Sequence, residues 1–167
     1  MKKLLISAAA LAVLALTNSA NAQAASANGT ATAKVLTPIG ISAGANLNFG
    51  TIASGAALGT VVITPAGARS VTGGVGAVTD GANAPTAGVF TVTGAAGYGF
   101  AITLPVSATI TSGANNMTVN TFASTPSGTG TLTAGTATVN VGATLNVAAN
   151  QAAGAYTGTY PVTVNYN

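Results

Sequence analysis

The most regular pattern in the chain is an alternation of apolar and polar residues over its last fourteen positions. From residue 156 onward, even positions hold Tyr, Val or Gly, and odd positions hold Thr, Pro or Asn. A period of two is that of a β-strand with one buried face. Pro161 has no backbone N–H, so this strand is predicted to lie at a sheet edge. The side chains predicted to face the core are those of Tyr156, Tyr160, Val162, Val164 and Tyr166.

A second clean alternation runs through residues 137–147, where Ala, Val and Leu alternate with Thr, Asn and Gly. No run after residue 22 has the period of a helix. We predict an all-β protein, an immunoglobulin-like antiparallel β-sandwich of about eight to ten short strands in one domain. Residues 70–88 are rich in Gly and are predicted to form a loop with a short strand near Val71. The other predicted strands are residues 29–42, 47–52, 60–64, 108–111 and 117–122, together with a hairpin that joins 88–94 to 98–104 across 95–97.

The first 22 residues have the composition of an export signal. Lys2 and Lys3 precede an apolar run over residues 4–16, and Ala20 and Ala22 form a small-residue cleavage site. A single transmembrane helix is the alternative, but the apolar run is short for one that spans a bilayer. Cleavage after residue 22 leaves 167 − 22 = 145 residues, enough for one domain with its own core.

Charge is almost absent from the chain beyond the predicted signal. Only Lys34, Arg69 and Asp80 remain there, so the net charge of that part is 2 − 1 = +1. With no basic patch, nucleic-acid binding is not expected. A surface this poor in charge has little to keep copies apart, which suits a protein that packs against others. There is no cysteine, so folding rests on burial and backbone pairing.

The residue types needed for catalysis are also missing. The chain has no His, no Cys and a single carboxylate side chain, and general acid–base chemistry needs a well-placed titratable group. Asp80 lies in the turn-like Thr79-Asp80-Gly81 and is predicted to be a turn former. It lacks the companion carboxylates of a calcium site. We therefore predict no enzyme activity, no cofactor and no metal.

Both ends of the predicted domain resemble known secreted subunits. Gly154 stands fourteen residues from the end and Tyr166 is penultimate, and this C-terminal strand resembles that of chaperone–usher pilins. Residues 47–51, LNFGT, are similar to the L-x-FG-T stretch of archaic pilins and spore-coat-U-like proteins. The chain also resembles a bacterial secreted family of unknown function that has the same LNFG and GxYxGxYxVTVxY ends. The cysteine pair common in those pilins is missing here.

The resemblance implies a sandwich that lacks its final strand and receives it from another chain. A periplasmic chaperone would fill the groove first, an outer-membrane usher would guide assembly, and the N-terminal segment of the next subunit would then replace the chaperone. The implied organisation is a signal over residues 1–22, a donor segment over 23–37 and a sandwich over 38–167. The implied product is a fimbrium on the surface of a Gram-negative cell, built as a head-to-tail polymer.

Site residues follow from the same resemblance. Gly29 is expected over Gly154 or Gly158, where missing side chains permit close approach. The implied donor residues are Ala27, Gly29, Ala31, Ala33 and Val35, and the implied acceptor strand carries Gly154, Tyr156, Gly158, Tyr160, Val162, Val164 and Tyr166.

Other readings stay open at this point. Residues 29–42 could be the first strand of a self-contained sandwich. The protein could instead be a surface adhesin or carbohydrate-binding module, although Trp is absent and the tyrosines have a buried parity. A small outer-membrane barrel is a third candidate, which four Tyr and no Trp do not favour.

Overall fold

The computed structural model of the protein describes residues 23–167, and the predicted signal over residues 1–22 lies outside them. The described part contains ten strands and no helix, and every strand pair is antiparallel, so the predicted all-β class is confirmed. The strands are β1 (Gly40–Ala43), β2 (Ile52–Ile63), β3 (Arg69–Ala77), β4 (Gly88–Thr93), β5 (Gly99–Thr103), β6 (Ser107–Ser112), β7 (Asn115–Thr125), β8 (Thr129–Thr131), β9 (Thr136–Val147) and β10 (Thr163–Tyr166).

The strands form a seven-stranded and a three-stranded sheet. The larger sheet has the order β1-β4-β9-β2-β3, with β7 on the other edge of β9 and β6 beside β7. The smaller sheet has the order β10-β5-β8. Apolar side chains of both sheets meet in the core, as in a β-sandwich.

Strand β9 is the centre of the larger sheet. Its first half pairs with β4, its second half pairs with β2, and the change of partner occurs at Gly142. Its opposite edge pairs with β7. The alternation predicted for residues 137–147 is confirmed here, because Val139, Val141, Leu145 and Val147 are buried.

Four predicted elements are wrong. Residues 47–52 form no strand before Ile52, only an isolated bridge between Asn48 and Thr86. The glycine-rich residues 70–88 contain the nine-residue strand β3 instead of a loop with a short strand. The segments 88–94 and 98–104 are not a hairpin, because β4 belongs to the larger sheet and β5 to the smaller one. The long first strand over 29–42 is reduced to β1, and the preceding residues have no strand structure.

The length of β9, twelve residues or about 40 Å, separates two ends of the domain. We call one the turn end, where residues 95–97 and Ala134 form adjacent turns beside the start of β9. The opposite one is the bulge end, where β9 stops. There the register between β2 and β3 shifts across residues 55–58, and the Asn150 N–H donates to the Gly55 carbonyl at 2.8 Å.

Candidate strand-addition site

The C-terminal stretch, residues 154–167, has the predicted parity of burial. Every odd position from 155 to 167 is exposed. Val164 is buried, while Tyr156, Tyr160, Val162 and Tyr166 are half-buried and pack against the core. The apolar face therefore points inward, but most of it stays partly open to solvent.

This stretch pairs with the rest of the domain along one edge only. Thr157 exchanges two backbone hydrogen bonds with Thr111 of β6, at 2.8 and 3.0 Å, and β10 pairs with β5. Between these two contacts, residues 158–162 make no backbone hydrogen bond to any described residue. Pro105 and Pro161 both fall in this interruption, and neither has an N–H to give.

The hydrogen-bond pattern shows which backbone groups of β10 are unused. The Asn167 N–H donates to the Gly99 carbonyl at 3.3 Å, so the odd residues of this stretch bond to β5. In an antiparallel ladder the residues between them direct their N–H and C=O groups away from that partner. The backbone groups of Val164 and Tyr166 therefore line an edge that no described strand occupies. Of the edge strand predicted for the C-terminal stretch, only β10 has strand structure, with an isolated bridge at Thr157 before it.

Strand β1 borders the same opening. It pairs with β4 alone among the described strands. Ile39, just before it, belongs to the same apolar cluster as Tyr160 and Val162. We call the edge of the C-terminal stretch that no described strand occupies, together with the half-buried apolar side chains beside it, the groove.

Tyr166 closes the groove at the turn end. Its hydroxyl accepts the Ala95 N–H at 2.6 Å and donates to the Thr37 carbonyl at 2.8 Å. Its ring meets Tyr98 edge-on, with centroids 6.1 Å apart. The penultimate tyrosine therefore fixes the point where the chain enters the domain.

Tyr160 fills the middle of the groove floor. Its ring lies 6.0 Å from Phe90 in an edge-on contact and 5.1 Å from Phe122. Burial raises the pKa of its hydroxyl above the ordinary value of 10.0. Because this large ring already occupies the space, an added strand needs only small side chains here.

A cavity of about 300 Å³ opens at the bulge end of the groove. It lies between residues 52–54 at the start of β2 and residues 151–156, and the buried side chains of Met117 and Val147 are among its lining. The lining thus combines exposed small residues with two buried core side chains.

Gly154 and Gly158 lie against β6 of their own chain. A Cβ at Gly154 would collide with the Ser112 hydroxyl, and one at Gly158 would collide with the Thr109 carbonyl. Gly29 of another chain is expected from the sequence to approach these two glycines closely. Within the domain, β6 makes that close approach instead. Gly29 itself has nothing within 4 Å of where its Cβ would be.

The expected donor residues lie outside both sheets. Residues 23–35 are exposed and have no strand structure, and the chain divides into compact units at Lys34 and Val35. Val35 has 93% of its surface exposed, the largest fraction among the exposed large apolar residues. No described strand of either sheet contains an expected donor residue.

Residues 47–51, LNFGT, are held in place by polar contacts. The Asn48 side chain accepts the Gly50 N–H at 2.8 Å and donates to the Asn83 side chain at 2.7 Å. Arg69 donates to the Phe49 and Thr51 carbonyls at 3.3 and 3.1 Å. These long-range polar contacts fix the turn that leads from β1 into β2.

Asp80 is part of the same polar cluster, where it organises a turn. Its carboxylate accepts the Thr51 hydroxyl at 2.8 Å and the Ala82 N–H at 3.0 Å. The Thr51 hydrogen bond, followed by that of Ala82, lowers the pKa of Asp80 below its ordinary value of 3.8. Within residues 23–167, no group of three or more His, Cys, Asp or Glu side chains is placed to hold a metal ion.

Comparison with known proteins gives a family. Among residues 23–167, no helix is long and apolar enough to cross a membrane. No curated protein and no solved structure matches the chain. A family model described as "Domain of unknown function (DUF4402)" matches residues 39–166, more than half of the chain, and the protein belongs to that family.

Proposed function

We propose that the protein is a structural subunit of an exported surface fibre that assembles by strand addition. The observation that carries the proposal is the edge of the C-terminal stretch, whose backbone groups have no strand partner among residues 23–167 and lie above a half-buried apolar face. Such an edge is a template for a strand from another chain. The occupant is the segment over residues 27–35 of a second copy, and no catalytic role is assigned.

The donor segment is short enough to fit along the edge of the C-terminal stretch. Residues 27–35 span about 30 Å when extended, and the edge from Tyr156 to Tyr166 spans about 36 Å. The donor side chains are Ala, Gly, Ala, Ala and Val at alternate positions. Their small size suits a groove whose floor is already filled by Tyr160 and its aromatic neighbours.

The donor is expected to run antiparallel to β10. All strand pairs in the domain have this orientation, and antiparallel pairs are the commoner kind. Val35 then lies at the bulge end, over the cavity lined by Met117 and Val147. A parallel donor would instead bring two turn ends together and give a closed two-fold dimer without a fibre.

This orientation makes assembly head to tail. In the incoming copy Thr37 is held at the turn end by Tyr166. Its donor segment leaves the groove of the receiving copy at the bulge end. The turn end of each copy therefore follows the bulge end of the one before, and the contact repeats without closing.

Affinity is expected to come mainly from the backbone ladder. Each ladder hydrogen bond contributes about 0.5–1.5 kcal/mol net, and burying Val35 adds about 1.5–3 kcal/mol at most. Until a donor arrives, the open edge needs cover. The chaperone implied by the resemblance would supply this cover.

Deletion of residues 23–32 tests the proposal. The deleted residues belong to no strand, so the shortened protein is expected to keep its β-type circular dichroism spectrum. It lacks most of the donor but retains the groove. Mixed with intact protein, it should cap growing chains and shorten fibres measured by negative-stain microscopy.

A peptide of residues 23–37 provides the matched control. It should bind the shortened protein and raise its melting temperature, whereas the same peptide carrying Ala31→Asp should not. If the shortened protein unfolds, residues 23–32 are part of the domain and strand exchange is rejected. Unchanged fibre length in the mixture also rejects it.

A further inference from the structure

A four-residue bulge projects from β2 at the bulge end. Ser54 is opposite Val75 and Gly59 is opposite Gly73, so residues 55–58 have only Gly74 across from them. Bulges of this kind bend a strand and redirect a side chain, and are treated as selected features. Here the redirected side chain is Leu58, with 74% of its surface exposed.

The bulge packs closely against β3. A Cβ at Gly74 would collide with the Ala57 carbonyl, and one at Gly73 would collide with the Leu58 carbonyl. Gly73 also has a positive φ of 66°. The Asn150 N–H ties the Gly55 carbonyl to the segment after β9. Leu58 is thus presented on a backbone segment that packs on β3 and is hydrogen-bonded to the segment after β9.

The surroundings of Leu58 carry no charge. Residues 55–58, 112–115 and 150–154 at this end contain no Asp, Glu, Lys or Arg. Ala56 and Ala57 are exposed beside it. A fixed, exposed leucine with small apolar neighbours is a candidate anchor for a protein contact.

We infer that Leu58 is a contact between successive subunits, where it packs on the turn end of the next copy. This inference rests on the proposed function, because antiparallel donation places those two ends together. With Val35 in the groove of one copy and Thr37 held by Tyr166 of the next, two residues, about 7 Å, connect the domains. The ends must therefore touch.

The turn end has a surface that suits a leucine. Ala96 and Gly97 are exposed at the tip of the turn between β4 and β5, and Ala134 is exposed on the neighbouring turn between β8 and β9. Both turns are fixed by backbone hydrogen bonds, including Gly97 N–H to the Leu132 carbonyl at 2.8 Å. Residues 94–98 and 133–135 are uncharged.

Double cysteine substitution tests the contact directly, because the native chain has no cysteine. Leu58 and Ala96 lie at opposite ends of one domain, too far apart for an internal disulfide, which needs Cα atoms about 4–7 Å apart. Fibres of the L58C/A96C variant should form a ladder of covalent oligomers on oxidation, visible on a non-reducing gel. The single variants and L58C/V106C should give none beyond random dimers.

Substitution of Leu58 by a charged residue measures how much the contact strengthens the fibre. Leu58→Asp should raise the rate of subunit loss from fibres roughly ten- to hundredfold, the effect of removing one buried leucine. Val106→Asp is the control, because Val106 is 91% exposed and lies on the loop between β5 and β6. That variant should behave like the native protein.

The outcomes separate the two proposals. If the deletion of residues 23–32 caps fibres but L58C/A96C forms no ladder and Leu58→Asp matches Val106→Asp, the Leu58 contact is rejected and strand addition stands. If the deletion has no effect on fibre length, strand addition itself fails. A disulfide ladder together with a Leu58-specific rate change establishes the contact.

Discussion

Strand β9 and the C-terminal stretch have the same alternating sequence pattern but different surroundings. β9 has partners on both edges, and Val139, Val141 and Leu145 on its inward face are at most 2% exposed. The C-terminal stretch has a partner on one edge, and of its inward side chains only Val164 is buried. The core is therefore closed around β9, which has both edges occupied, and partly open along the C-terminal stretch.

The largest loss of stability is expected from a core substitution in β9. Leu145→Ala removes a buried side chain from β9 and should lower the free energy of unfolding by about 2–5 kcal/mol. Urea denaturation followed by circular dichroism measures this. Leu58→Ala, at an exposed leucine, should cost less than about 0.5 kcal/mol in the monomer. Equal losses would contradict the burial of Leu145 as the source of the effect.

Next in size is the loss of the Tyr166 hydroxyl. Tyr166→Phe removes its hydrogen bonds to the Ala95 N–H and the Thr37 carbonyl and should cost about 1–2 kcal/mol. Hydrogen exchange at the Ala95 amide should accelerate by more than that at amides of β9. A uniform change across the domain would contradict a local role for the hydroxyl.

A smaller effect, and the one most specific to the open edge, is expected at Val162. Val162→Ala should cost about 0.5–1 kcal/mol in the monomer, because the side chain is only half-buried. The cost should rise when the peptide of residues 23–37 is bound, since an added strand completes its burial. Thermal melting with and without peptide measures both values, and Leu145→Ala should show no such dependence.

The smallest effect lies outside both regions, at Asp80. Its pKa is lowered in the folded state, so its contribution is present above about 3.8, the ordinary value, and is lost as the pH falls through the folded pKa. Asp80→Asn should leave stability at neutral pH almost unchanged and flatten the acid limb below pH 4. Melting temperatures measured over a pH series test this. If the variant loses stability below pH 4 as the native protein does, another group causes that loss.

What could be predicted from the sequence was set by local patterns. The faces of β9 and of the C-terminal stretch follow from alternation alone, because a period of two with one buried side allows a single register. The edge position of the C-terminal stretch followed from Pro161, which has no N–H to give. The exposed N-terminal segment could only be described as a candidate strand, because its alternation does not reveal whether a partner exists in the same chain.

What could not be predicted depends on distant contacts. β3 looked like a loop because Gly73 and Gly74 are glycines for a tertiary reason, the close approach of the bulge in β2. The turn over residues 95–97 has the residues of a hairpin, and nothing local shows that its two strands enter different sheets. The link from Asn48 to Asn83 joins positions 35 residues apart, beyond any local pattern.

The three partnerships of β9 also set an order of events during folding. Its partners β2, β4 and β7 all precede it, and its pairing with β2 closes a loop of roughly 80 residues. When the chain is made from its N-terminus onward, β2 with β3 and β6 with β7 can form hairpins early. These hairpins cannot join one sheet until residues 140–147 of β9 are available to pair with both. Non-local pairing of this kind is slow, and its intermediates expose apolar faces and unpaired edges. The domain is therefore most prone to aggregation just before β9 becomes available, when most of its other strands already exist without their central partner.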